Sequence, residues 1–163
     1  MNNSMADGGA VPGIMIREAE EEQALDIVAL GEKIFRNSWN EQMVNTSIYG
    51  SYDKVLVAMM GDELVGYLIY TAPCEDCELL RIAVENSHRK CGIGKRLIQE
   101  MIKQCAKKAG ENIFLEVRES NETAIGLYEK MGFQEISRRK DYYREPKEDA
   151  VIMKLENIVG INF

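Results

Sequence analysis

Leu79–Met101 reads LLRIAVENSHRKCGIGKRLIQEM, and the fold turns on how this stretch is parsed. An apolar strand runs into Arg89-Lys90-Cys91-Gly92-Ile93-Gly94, and a helix with an apolar stripe begins at once. That order of parts builds an anion cradle. The N–H groups of the loop and of the first helical turn converge at the positive end of the helix dipole. Gly92 and Gly94 carry no Cβ, so a phosphate can approach the main chain. A single G-x-G between a strand and a helix is also read as a plain tight turn. Two better-known phosphate loops do not fit. A Walker A loop needs four residues between its glycines and a Lys-Ser/Thr after them, and a dinucleotide fingerprint needs a third glycine where Leu97 stands.

Working outward, Ile14–Arg17 predicts a short strand and Glu20–Phe35 a helix with Ala24, Leu25, Ile27, Val28, Leu30 and Ile34 on its apolar face. A second short helix starts near Asn40. Lys54–Met60 and Leu64–Tyr70 are strands joined at Gly61-Asp62-Glu63, and Glu78–Val84 is the next strand. Lys95–Lys108 is a helix ending at Gly110, and Asn112–Arg118 is a strand. Ser120 caps a further helix bearing Ala124, Ile125, Leu127, Tyr128 and Met131, which Gly132 ends. Gln134–Arg138 and Ala150–Leu155 are the final strands. The expected class is therefore α/β, one mixed sheet with helices packed on it, in the order β-α-α-β-β-β-α-β-α-β-β.

The 163 residues suit one domain, and 45% hydrophobic with 29% charged residues is a globular composition. The expected division is an N-terminal polar arm over 1–13, a domain over 14–155 and a tail over 156–163. The arm has no apolar core of a secretory signal, and no apolar run reaches the roughly 20 residues that span a bilayer. No membrane contact is expected. A net charge of −7 argues against a nucleic-acid surface. Of the cysteines, Cys74-x-x-Cys77 raises a zinc or redox site. With no second Cys pair and His88 the only histidine, it reads instead as a reduced hairpin between two strands of a cytoplasmic protein, and no metal is expected.

Two residues invite chemistry. Glu116 stands between Leu115 and Val117 in an apolar strand, where a carboxylate is paired, solvated or useful; an outward-facing charge on a half-exposed strand satisfies the same pattern. Tyr128 lies on an apolar helical stripe, where a core aromatic is the ordinary reading, but its buried hydroxyl needs a partner.

Arg89-x-x-Gly92-x-Gly94 resembles the pyrophosphate motif of the GNAT N-acetyltransferases, and the element order resembles their topology over about residues 14–155. The resemblance implies a central sheet whose fourth and fifth strands splay apart. It implies acetyl-CoA with its pyrophosphate on Arg89, Lys90, Cys91, Gly92, Ile93, Gly94 and Lys95, and its pantetheine arm against the strand backbone of Leu80–Val84, thus Ile82, Ala83 and Val84. LEVRESNETAIGLYEKMGF (115–133), then RRKDYY (138–143) and EDAVIMKL (148–155), resembles more narrowly the enzymes that acetylate the N-terminal alanine of a small-subunit ribosomal protein. Carried over by motif, Glu116 is the general base, Tyr128 the general acid that also meets the cofactor, and Asn121 a cofactor contact. Trp39, Glu116 and Tyr142 face the acceptor, with Glu148-Asp149 in the same hairpin. Ser38-Trp39-Asn40 departs from that group's P-W-S, Ser38 standing for the proline and Asn40 for the serine. The implied partner is a ribosomal protein N-terminus, and a lysine or small-molecule amine acceptor, or a non-catalytic acyl-CoA binder, are the alternatives. Oligomeric state is not legible.

Overall fold

The computed structural model describes residues 13–163, so the expected arm lies, apart from Gly13, outside the described residues. The elements are β1 (Ile14–Glu18), α1 (Ala24–Ile34), α2 (Glu41–Tyr49), β2 (Asp53–Met60), β3 (Glu63–Thr71), β4 (Asp76–Val84), α3 (Ile93–Lys107), β5 (Asn112–Arg118), α4 (Glu122–Lys130), β6 (Gln134–Arg144) and β7 (Lys147–Leu155). Their order is the expected one. The strands make one sheet, β1-β2-β3-β4-β5-β7-β6, antiparallel except for β4 beside β5.

Alternation along the strands divides the core in two. On one face Leu56, Leu68, Tyr70, Ile113 and Leu115 pack with Leu97, Ile98, Met101 and Ile102 of α3. On the other, Val55, Val57, Tyr67 and Ile69 meet Ala24, Ile27 and Leu30 of α1 and Val44 of α2. Both faces of β2 and β3 are covered, which is why those strands read as nearly unbroken apolar runs. No helix among the described residues is long and apolar enough to cross a membrane.

Several boundaries differ from expectation for local reasons. The first helix opens as a 3-10 turn at Glu21–Gln23, because the Gln23 side chain accepts from the Glu20 N–H at 2.8 Å; the α-helix begins at Ala24. The β2–β3 turn uses only Gly61 and Asp62. The left-handed residue after α3 is Ala109 (φ +61°), not Gly110. Gly110 is needed for space: a Cβ there would lie 2.8 Å from the Cys105 carbonyl oxygen and 3.0 Å from Cys77 Sγ. The cap of α4 is Asn121, whose Oδ1 accepts from the Ala124 N–H at 3.2 Å, while the Ser120 hydroxyl donates to Glu148 at 2.8 Å. The last two strands are much longer than expected and form one hairpin through Glu145-Pro146. Cys77 lies in β4, buried, whereas Cys74 is exposed in the loop before it. The tail returns to the body: Ile158 is buried and its N–H donates to the Glu111 carbonyl at 3.1 Å.

Candidate active site

The parallel pairing of β4 with β5 is short. Asp76 opposes Asn112, Cys77 opposes Ile113 and Glu78 opposes Phe114, and there the ladder stops. The cause is visible in the β3–β4 register, which passes from Ile69 opposite Arg81 to Tyr70 opposite Leu79. Leu80 is an extra residue, and a bulge of this kind bends its strand and ends pairing. Beyond it, β4 keeps its ladder to β3 but presents a bare edge toward β5, whose residues Leu115–Arg118 remain paired to β7. Unpaired backbone groups in the middle of a sheet are a ready ladder for a ligand. The gap expected between the fourth and fifth strands is thus present, and Ile82, Ala83 and Val84 line its β4 bank.

The end of β4 leads into the Gly-bearing loop. Arg89 Nε donates to the Val84 carbonyl at 3.3 Å, tying loop to strand. Lys90 (φ +60°) and Gly92 (φ +76°) both take left-handed backbone, which curls the loop so that successive N–H groups form a concave nest. The helix starts at Ile93, two residues earlier than expected. Its first internal bond runs from the Arg96 N–H to the Gly92 carbonyl at 3.0 Å, and no side chain caps it. The N–H groups of Ile93, Gly94 and Lys95 are therefore left over at the positive end of a 15-residue helix. The two glycines differ in purpose. Gly92 supplies the positive φ in open space, but a Cβ on Gly94 would meet Leu127 Cδ2 at 3.2 Å, so Gly94 serves the packing of α3 against α4. Ile93 turns its side chain into the core and offers only its backbone. Lys90 and Lys95 are exposed at the rim.

Glu116 stands on the β5 bank of this gap, and Tyr128 belongs to the core on the opposite face of the sheet. Along β5, Ile113, Leu115 and Val117 are buried toward α3, and Asn112, Phe114, Glu116 and Arg118 take the α1–α2 side half-buried. Glu116 is ion-paired with Arg139 Nη1 at 3.2 Å across β7, where residue 150 is an alanine. Glu78 shares the face at the last rung before the gap; burial, and then the Glu116 charge, hold its carboxyl above the usual carboxylate range, with Arg139 opposing. Tyr128 belongs to the core cluster of the α3–α4 side, packed on Phe133 with ring centroids 5.8 Å apart. Burial, and then the neighbouring Tyr143, push its phenol well above the usual tyrosine range.

Arg139 and Tyr143 carry no role in the sequence reading. Burial, and then the Glu116 charge, hold the Tyr143 phenol above the usual tyrosine range, and Arg118 lies 3.9 Å from its ring centroid. Its neighbour Tyr142 stands at the exposed rim, edge-on to Tyr143. Only the β6–β7 register brings these residues to the gap, and no local motif encodes a register. Trp39 lines the α1–α2 face with Phe35, both against Arg81. Asn121 spends its side-chain oxygen on the helix cap, which leaves its amide N–H groups for a ligand. Glu148 has a structural tie, accepting from both the backbone and hydroxyl of Ser120 and facing Arg118 at 3.6 Å, and Asp149 accepts from the Asp141 N–H at 2.8 Å.

Comparison with known proteins agrees with this geometry. The Acetyltransferase (GNAT) family model matches residues 24–133. The chain belongs to the GNAT acetyltransferase family. This acetyltransferase is 32% identical over 137 residues to the ribosomal protein bS18-alanine N-acetyltransferase of Haemophilus influenzae, covering 82% of this chain and 86% of that one. Its counterpart in Escherichia coli K12 is 29% identical over 136 residues, covering 82% and 85%. The crystal structure of the Escherichia coli ribosomal-protein-S18-alanine N-acetyltransferase superposes with a TM-score of 0.82 at 25% identity, over 92% of this chain and 96% of that one. Arabidopsis thaliana NAA60, solved in complex with acetyl-CoA, shares the fold with a TM-score of 0.78 at 19% identity, over 88% and 98% of the two chains.

Proposed function

We propose that this acetyltransferase uses acetyl-CoA to acetylate the α-amine of an N-terminal alanine on a small-subunit ribosomal protein, in the cytoplasm. The observation that carries the reading is the gap itself, flanked by a carboxylate on one face and a buried phenol on the other. The names of the relatives support the acceptor.

The bare β4 edge and the uncapped α3 N-terminus fit a long ligand with an amide-bearing arm and a pyrophosphate. Arg89–Lys95 hold the phosphates through backbone N–H groups and the helix dipole, and Leu80–Val84 bind the arm as an added strand. Acetyl-CoA supplies an activated acyl group, so the amine needs no covalent enzyme intermediate. Glu116, directly or through a water, takes the proton from the incoming α-ammonium, which has an ordinary pKa near 8. Arg139 keeps that carboxylate oriented. The amine nitrogen forms its bond to the acetyl carbon as the carbon–sulfur bond breaks. Tyr128, whose phenol burial keeps protonated, donates its proton to the departing sulfur and is reprotonated by the second proton, which the nitrogen sheds as the amide forms.

The test is acetyl transfer to short peptides read by fragmentation mass spectrometry. One peptide begins with the alanine end of the organism's own ribosomal protein. Another has a blocked N-terminus and an internal lysine. Acetylation of the free alanine alone supports the reading, while acetylation of the lysine peptide moves the acceptor to a side-chain amine.

A further inference from the structure

Glu78 stands where the gap opens. It opposes Phe114 on the last rung that joins β4 to β5, and the two strands part just beyond it. Its neighbours Cys77 and Leu79 are buried toward α3, so Glu78 lies on the other face, the one that carries Phe114 and Glu116. It is exposed, so the face is open at this point.

The other charges on this face are matched. Glu116 is paired with Arg139 at 3.2 Å, and Glu148 with Arg118 at 3.6 Å. Lys154, over the Phe114 ring, is paired with Glu156 at 2.7 Å. Among the described residues only Arg139 offers Glu78 a favourable charge, and that guanidinium is already spent on Glu116. The Glu78 carboxylate is thus the uncompensated charge beside the gap. Such a face attracts a cation and repels an anion, which makes it a means of choosing between acceptors.

An N-terminal acceptor brings one positive charge as its α-ammonium, and Glu116 receives it. Glu78 is left for a second. Glu116 lies two residues beyond the Glu78 rung, about 7 Å along the strand. The second Cα of an extended acceptor is about 3.8 Å from the first, and a long basic side chain covers the remainder. We propose that Glu78 binds a lysine or arginine side chain on the second residue of the acceptor. It then selects basic sequences among alanine N-termini. This assignment rests on the N-terminal peptide reading above.

The experiment varies the substrate as well as the protein. Three alanine-initiated peptides differ only at the second residue, which is lysine, its uncharged straight-chain analogue norleucine, or glutamate. Each is assayed at low ionic strength with the parent and with Glu78→Gln, whose folding is checked by circular dichroism, and fragmentation locates the acetyl group on the α-amine. With the parent, kcat/KM for the lysine peptide should exceed that for the norleucine peptide by about 5-fold, the upper end for a solvent-exposed ion pair. The glutamate peptide should be the poorest. In Glu78→Gln the lysine-to-norleucine ratio should fall close to one. A parent that treats lysine and norleucine alike overturns the proposal whether or not the variant folds. A preference that survives Glu78→Gln also overturns it, the charge then being read by Glu116 or by the overall charge of −7. Should Glu78→Gln fail to fold, Glu78→Ala is held to the same criterion. A parent that binds acetyl-CoA yet acetylates none of the three peptides removes the acceptor reading and this assignment with it.

Discussion

Tyr128 and Glu116 stand in unlike surroundings, and the proton roles proposed for them make different predictions. Tyr128 is buried and its phenol is raised, so the O–H survives any rise in pH over which the protein is assayed. Tyr128→Phe should lower kcat by about 10²- to 10⁴-fold while acetyl-CoA affinity, measured by calorimetry, stays near the parent value. The alkaline limb of the parent's rate profile should not carry the tyrosine's ionisation. Glu116 is half-open and paired, and in the proposed reaction it serves an amine that loses its own proton near pH 8. For Glu116→Gln the deficit in kcat/KM should be greatest near pH 6 and shrink toward pH 9. A ratio to parent that is constant across that range would rule out the base role.

At the scale of elements, glycine positions separate two kinds of constraint. In the α3–β5 turn, Gly110→Ala drives a methyl into the Cys105 carbonyl and Cys77 Sγ and should destabilise by about 1–3 kcal/mol. Gly126→Ala, on α4 with no atom within 4 Å of its Cβ, should stabilise by about 0.4–1 kcal/mol. Denaturant melts of both variants check the contrast. Glu148 joins the β6–β7 hairpin to the β5–α4 junction. Its carboxyl is held below the usual range, first by the Ser120 hydroxyl and further by the Ser120 N–H and Arg118. A depressed carboxyl stabilises above its unfolded pKa, about 4.3, and that contribution is lost as pH falls through the folded value. The Tm advantage of parent over Glu148→Gln should therefore narrow below about pH 4.3.

Element order was legible because it depends on periodicity and turn chemistry, both local. Sequence alone does not choose between Ser120 and Asn121 as the cap, because Ser and Asn cap equally well. The choice falls to Asn121 because Glu148, 28 positions away, claims the Ser120 hydroxyl. Glu116 and Tyr128 stood out by motif, but Arg139 and Tyr143 did not, since they meet the gap only through strand register. The Leu80 bulge left no mark in sequence either: a bulge exists only against a partner strand.

For the whole molecule, the sheet is two blocks, β1–β4 and β5-β7-β6, laced together by the few rungs from Asp76 to Glu78 and by the α3 core. A ligand lying between them is a bridge as well as a reactant. Acetyl-CoA at 100 times its Kd should add about 2.7 kcal/mol to stability. Hydrogen exchange should slow at Leu80–Val84 and in Ile93–Lys95 together. Protection of one region without the other would mean that strand edge and helix end do not hold the same molecule.

Leu79, Ile82 and Val84 look toward α3, and Leu80, Arg81 and Ala83 look toward α1. Strike out Leu80 and what is left alternates without fault, each survivor keeping the side it already has. A chain one codon shorter would thus spell a flawless strand, able to zip onto β5 along its length. The sheet would gain by it and the cleft would vanish. The opening beside β5 sits next to a single supernumerary leucine.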